Sequence, residues 1–330
     1  MSTLTARNDS AGPAPLFTVF TPTYNRAHTL DRVYRSLEAQ TFRDFEWLIV
    51  DNASTDGTPD LVRAWQDNPP FPIRYLRNER NIGRHGSWNR AVRDARGSLF
   101  LEMRSADTYA EHALQRLLDL WESIPADQRD GFSAVTVLAQ DEFGALRGTR
   151  FPTDVMDSNS LEMHFRHDVR GEKWGFQRTD VLRQHAMPEI DGYTAYMPES
   201  LVWRAIARRY RTRYVNEVLR TYWRDQAASS ISIPTDRRIN APGRMLSARD
   251  LLNHDLAYLP TAPMAFYREA VAYVSSALHA GVSPSAQVAG LRPMRARLLW
   301  ALALPAAVTL YLLERHAPSV VRRLGLRGTG

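Results

Sequence analysis

Short apolar runs alternate with amphipathic ones through the first hundred residues, and this alternation constrains the fold more than any other feature of the chain. Residues 17–21 (FTVFT) form an apolar run closed by Pro22, after which Leu30, Val33, Tyr34 and Leu37 recur at helical spacing. Residues 45–50 (FEWLIV) repeat the apolar run and end in the turn-rich DNASTDG at 51–57. Pro59 opens a second helix with Leu61, Val62 and Trp65 on one face. Residues 73–76 and 99–103 read as two further strands, with a helix over about residues 87–95 between them. Such repetition with short connections predicts an α/β fold, a mostly parallel central sheet with helices on both faces. Ligands bind beyond the carboxyl ends of the strands in sheets of this kind, and each polar cluster falls on such an end.

From residue 131 the pattern is mixed, with strand runs at 132–138 and 214–218 and a helix over 199–209. Beyond Pro234 the chain becomes helix-prone, and Pro242, Pro260, Pro263, Pro284 and Pro293 divide it into short helices. The expected organisation is a loose polar tail at 1–16, an α/β domain over 17–235 and a helical region over 236–330, with the boundary near 233–238. Residues 298–313 carry no charge and are flanked by arginines. A membrane span needs about 20 apolar residues, so this run, which includes Pro305, predicts monotopic or re-entrant association with an anionic membrane surface. The other reading is a buried C-terminal helix.

The net charge of +6 has the same address. Seven arginines after residue 290 face one acid, Glu314, while the preceding residues balance. A basic footprint across the folded face is therefore missing, which excludes nucleic acid as the partner. With no cysteine in the chain, a disulfide framework, a thiolate zinc site and a cysteine nucleophile are excluded. A cytosolic compartment fits, and the N-terminal residues lack the apolar core of a secretory signal.

The order of a strand, TPTYNR (21–26), a helix ending in AQTF (39–42), a second strand and DNASTDGT (51–58) resembles the opening of a family 2 glycosyltransferase of the inverting GT-A type. The resemblance extends over residues 17–232. It implies a Rossmann-like GT-A domain with a C-terminal helical segment, and a nucleotide-sugar donor carrying UDP or dTDP. It further implies a glycan or lipid-linked acceptor in cell-surface polysaccharide or glycoconjugate synthesis, at the cytoplasmic face of the cell membrane. Thr21, Pro22 and Tyr24 at the first strand end and Asp51 at the second then bind the donor. The Asp51 carboxylate can accept a hydrogen bond from the imide N–H of uracil or thymine, although DNASTDG is equally good Asx-turn chemistry. RNERNIGRHGSWNRAV resembles the family's Asn-x-Gly turn into a helix, which puts Asn81 and Gly83 in the turn and Arg84 toward the diphosphate.

The fourth strand departs from the pattern. Where the family has Asp-x-Asp-Asp to hold the ribose and a divalent cation (Mn or Mg), this chain reads GSLFLEMRSADTY, with Arg104 and Ala106 in place of two aspartates. Asp107 alone remains as donor-binding residue and metal ligand. Arginine cannot ligate a cation and repels one, and Glu102, on the same strand face, can pair with Arg104. Three outcomes stay open: a weak site on Asp107, Arg104 in place of the metal's charge, or a dead site. The last would leave a non-catalytic nucleotide-binding protein of the same fold. Downstream, GEKWGFQRTDVLR and GYTAYMPESLVW resemble the family's acceptor-side segment. Trp174 there is a sugar-stacking or core tryptophan. Glu199 is the general base for the acceptor hydroxyl, or else a helix-end carboxylate. YWRDQAASSIS (222–232) supplies no histidine as a second metal ligand. A sugar-1-phosphate nucleotidyltransferase would need a glycine-rich basic loop after the first strand, and TPTYNRAHT is not one.

Overall fold

The computed structural model describes residues 13–223 and 238–316. Most of the expected tail, the expected boundary up to residue 237, the histidine-free stretch after Trp223 and the three last arginines lie outside the described residues. In chain order the elements are β1 (Phe17–Thr23), α1 (Ala27–Glu38), β2 (Phe45–Asp51), α2 (Thr58–Asp67), β3 (Ile73–Arg77), α3 (Gly83–Asp94), β4 (Leu99–Glu102), β5 (Thr108–Tyr109), α4 (Ala113–Glu122) and β6 (Phe132–Asp141). There follow β7 (Val155–Ser158), α5 (Ser160–Phe165), β8 (Lys173–Arg178), α6 (Thr179–Arg183), α7 (Ser200–Ala207) and β9 (Arg211–Tyr222). The last helices are α8 (Ala241–His254), α9 (Pro263–His279), α10 (Pro284–Ala289) and α11 (Met294–His316).

One sheet runs in the order β3-β2-β1-β4-β8-β6-β9-β5, with β7 added on β9. Its first half is parallel, as the strand–helix alternation predicts. Its second half is mixed: β8 lies antiparallel between β4 and β6, and β6 runs parallel to β9 with shifts of register. Helices cover both faces. Phe17, Val19, Val33, Trp47 and Leu117 belong to one core, Phe20, Leu48, Trp88, Phe100 and Ile206 to the other. Side chains alternate across a strand, so neighbours such as Val19 and Phe20 serve opposite cores. Gly97 enters β4 so close to β1 that a Cβ there would meet the Thr18 nitrogen at 2.4 Å. No larger residue fits.

Periodicity alone does not reveal β8. Gly175 sits at its centre because a Cβ would meet the Val135 carbonyl oxygen at 2.0 Å, and a glycine within a strand weakens the local signal. The helix expected over 87–95 begins four residues earlier, at Gly83, whose φ of +74° suits glycine.

The C-terminal helices form a third core with α5 and α7, through Leu161, Phe165, Leu251, Leu252, Phe266 and Tyr273. Ion pairs reinforce this junction: Arg208 lies 2.7 Å from both Asp250 and Asp255. The prolines act as expected at helix starts, in α8, α9 and α10. Pro305, within the apolar run, lies inside α11. That helix therefore extends the expected apolar run to Met294–His316, long and apolar enough to cross a membrane by length and composition. Ala296, Ala303 and Ala307 are buried, with Leu299, Trp300 and Leu304 packed partly buried beside them, while Leu298 and Leu302 remain 58% and 68% exposed. At 17 and 23 residues, α9 and α11 are longer than the short helices expected between the prolines. Ala303→Leu should overpack the α9–α11 contact and destabilise by about 1–3 kcal/mol in urea unfolding. Leu302→Glu should shift stability by no more than about 0.5 kcal/mol.

Candidate active site

The carboxyl ends of β1, β2 and β4 line up on one edge of the sheet, and the loops that leave them carry the predicted residues. Gly83 starts α3 against the chain at Thr194, where a Cβ would meet the Thr194 carbonyl oxygen at 2.8 Å, and this sets the next residue, Arg84, into the edge. The Arg84 guanidinium grips Glu102 at the end of β4 with both carboxylate oxygens, at 2.6 and 2.8 Å. Its other terminal nitrogen hydrogen-bonds the carboxylate of Glu199, which directly precedes α7. Burial by itself would raise the Glu199 pKa. The guanidiniums of Arg84 and Arg104 outweigh that and hold the carboxyl below the ordinary glutamate value. Arg84, in turn, is held more firmly protonated by Glu102 and Glu199 than its burial can undo.

The row of charges continues along the edge. Arg104 lies 3.9 Å from Glu102 and 3.5 Å from Glu172. Glu172 lies 3.4 Å from Arg220, and Arg220 is paired with Asp107 at 2.5 Å. Acid and guanidinium thus alternate from Glu199 to Asp107. Tyr196 sits under the influence of Glu199, Arg244, Arg84 and Arg104 together, and burial pushes its phenol pKa up. Arg244 comes from α8, which approaches so closely that a Cβ on Gly243 would meet the Tyr196 carbonyl oxygen at 2.4 Å. Its Nε is buried without a hydrogen-bond partner. The C-terminal helices therefore contribute to the cleft wall, which the linear sequence does not reveal.

Several expected roles change. Asp51 is fully buried: Oδ1 accepts from the Ser54 amide and hydroxyl, Oδ2 from the Tyr75 hydroxyl, and Arg77 lies 3.7 Å away. The contacts to Ser54 are those of the Asx-turn reading, and both Asp51 oxygens are engaged within the protein. Thr21 is equally internal, donating to the Met103 carbonyl and accepting from Trp47 Nε1. Asp107 is 1% exposed and its carboxylate is paired with Arg220. Trp174 is 5% exposed, donates to the Glu102 carbonyl at 2.8 Å and packs on Tyr109. It is a core tryptophan and offers no face to a sugar. Tyr24 and Asn81 are exposed and Pro22 half-buried at the same strand ends. Asn81 accepts from the Asn52 side chain at 2.7 Å and from the Gly83 amide at 2.9 Å. Next to it a 330 Å³ groove is lined by Arg77, Asn78, Glu79, Arg80, Ile82 and Arg90.

A divalent cation does not fit the residues present at the β4 end. Glu102, Glu172 and Asp107 are each held by a guanidinium, and positions 104 and 106 offer no carboxylate. Among the described residues, no group of three or more His, Asp or Glu could hold a metal ion. Glu172 and Arg220 were not foreseen as site residues. The one trace of Arg220 in the sequence is an arginine beside Leu219 within a strand, and strand charge alone points to no partner. Because Asp51 ties β2 to its own turn and to β3, Asp51→Ala should cost about 3 kcal/mol of stability in chemical denaturation. Nucleotide affinity in the folded fraction should be unchanged by isothermal calorimetry.

Comparison with known proteins matches this architecture. The family model described as glycosyl transferase family 2 covers residues 18–201. An abequosyltransferase of Salmonella typhimurium is 39% identical over 95 residues, 28% of this chain and 28% of that protein. A succinoglycan biosynthesis protein of Rhizobium meliloti is 33% identical over 105 residues, 32% of this chain and 29% of that protein. Each match thus spans under a third of the relative's length. Among solved structures, S. aureus TarS 1-349 in complex with UDP-GlcNAc superposes with a TM-score of 0.60 over 94% of this chain and 92% of that one, at 18% identity. At that identity the likeness shows the fold. More than half of the chain matches the family model, on a sheet whose strand ends carry the residues just described, and the chain belongs to glycosyl transferase family 2.

Proposed function

We propose that the chain is an inverting glycosyltransferase that moves a sugar from a UDP- or dTDP-sugar to a glycan or lipid-linked acceptor in cell-surface polysaccharide synthesis. The observation that carries this reading is the meeting of Glu199 and Arg84 across the carboxyl edge of the parallel strands, where α/β sheets bind ligands. Tyr24, Pro22 and Asn81 border the nucleoside, and Arg84 takes the diphosphate. Glu199 removes the proton of the acceptor hydroxyl as its oxygen attacks the anomeric carbon. The bond from that carbon to the diphosphate oxygen breaks, and its electron pair leaves with the nucleoside diphosphate. Two relatives, an abequosyltransferase and a succinoglycan biosynthesis protein, support placement in polysaccharide synthesis.

The same reading assigns sugar transfer to residues 17–235 and attachment to residues 236–330. It places the protein at the cytoplasmic face of the membrane, with the exposed leucines of α11 against lipid and arginines such as Arg295 and Arg315 near its headgroups. A second reading, a non-catalytic nucleotide-binding member of the family, draws on the engagement of each edge carboxylate by a guanidinium. Glu199→Gln separates the two. As the base, Glu199 should be worth about 10²–10⁴-fold in turnover, with donor affinity retained; a transfer rate equal to the parent's refutes that role. Since the Glu199 pKa is lowered and a base must be ionised, turnover should hold steady as pH falls from 7 and decline only below about 4.3, the ordinary glutamate value. The double variant Leu298→Glu/Leu302→Glu should lose co-sedimentation with anionic vesicles. Unchanged co-sedimentation would rule out the α11 face as the attachment.

A further inference from the structure

Among the three guanidiniums on the sheet edge, Arg104 stands apart in how it is held. Arg220 is 3% exposed and bound to Asp107 through two nitrogens, at 2.5 and 2.7 Å. Arg84 donates from Nη2 to both carboxylate oxygens of Glu102, at 2.8 and 2.6 Å. Arg104 reaches its carboxylates only at 3.5 and 3.9 Å, beyond the 2.7–2.9 Å of a tight charge-assisted pair, and its side chain is 37% exposed. Its backbone, in contrast, is fixed. The Arg104 amide donates to the Tyr109 hydroxyl at 2.8 Å, and the Met103 amide before it donates to the Phe20 carbonyl of β1 at 2.8 Å. A rigid stalk at the end of β4 thus presents a loosely engaged planar fork to the cleft. Glu102, the residue positioned to neutralise it, is committed to Arg84.

Resting on the donor reading above, we infer that Arg104, with Arg84, holds the donor's diphosphate in place of a divalent cation, so that nucleotide binding in this protein needs no metal. Two arguments converge. Glu102 and Asp107 are held by short guanidinium contacts and Glu172 lies 3.5 and 3.4 Å from the Arg104 and Arg220 guanidiniums, so an incoming cation would meet like charge at each carboxylate. A guanidinium fork matches two phosphate oxygens in one plane, so an arginine that exchanges a long carboxylate contact for the diphosphate brings positive charge together with directed hydrogen bonds. Arg84 faces the same point from α3, across Glu102. The diphosphate then draws Arg104 from its long contacts to Glu102 and Glu172 into short ones. As the leaving group gains negative charge, those bonds strengthen, which is the electrostatic work a metal does in other sites.

Calorimetry of the full-length protein with UDP and with dTDP, in EDTA and again in manganese, tests this. The expected result is binding in EDTA at an affinity that manganese does not improve. Arg104→Gln should weaken the tighter nucleotide about 10- to 100-fold. The affinity for the free nucleoside, followed by ligand-observed NMR, should stay at the parental value and report an intact fold. Arg104→Lys keeps the charge, loses the fork and should fall between. Binding that appears only with manganese overturns the inference and leaves the donor reading standing. Parental nucleotide affinity in Arg104→Gln, or equal loss for nucleotide and nucleoside, overturns it too. If neither diphosphate binds with or without manganese, the donor reading falls and takes this inference with it.

Discussion

The alternating row of acids and guanidiniums on the carboxyl edge of the sheet is the interaction on which the rest of the site depends. It joins Glu199, Arg84, Glu102, Arg104, Glu172, Arg220 and Asp107, residues from both halves of the sheet and from two of its covering helices. Each charge is flanked by opposite charges, which makes partial burial tolerable where a lone ion would shift its pKa or unfold the edge. The pairing also differs in tightness along its length. It is closed and dry at Arg220, short and wet at Arg84, and loose at Arg104. That gradient separates a structural anchor from groups that can exchange a carboxylate for a phosphate.

The C-terminal helices serve the cleft and a second surface at once. Their core locks onto α5 and α7, and the Arg208 pairs with Asp250 and Asp255 hold α8 where Arg244 reaches the Tyr196 neighbourhood. On the far side, α11 buries Ala296, Ala303 and Ala307 and leaves Leu298 and Leu302 exposed. Small residues let α9 and α11 approach closely, with Leu299, Trp300 and Leu304 packed beside them. A helix used in this way cannot be classified by hydropathy alone, because the same composition fits a buried core helix. Which face is covered decides the matter.

Much of the fold was legible in the linear chain. Period-2 and period-3.6 patterns place β1, α1, β2, α2, β3 and β4; β1 and β2 are buried on both sides and read as largely apolar runs, while β3 at the sheet edge is half-buried and mixes apolar and basic residues. β8 escaped because Gly175, required by the close approach of β6, looks like a breaker, and the two-residue β5 is too short to show a period. The site was legible as a place but less so as a set of side chains. Arg84 and Glu199 stand in the cleft, whereas Asp51, Thr21, Asp107 and Trp174 lie at or near the right strand ends and face inward.

Sequence by itself determined where the strands end, that Arg104 and Ala106 stand where aspartates belong in the family, and that charge cannot be neutralised there in the usual way. Those are properties of residue identity and local period. Tertiary structure alone decided which carboxylates are free. Asp107 meets Arg220 across 113 residues, and Arg84 meets Glu199 across 115. Contacts so distant along the chain follow from strand order and from the angle at which α3, α7 and β9 reach the edge. No periodicity in the sequence encodes an angle between elements, and a side chain at a strand end can turn to the cleft or to the core with the same local pattern.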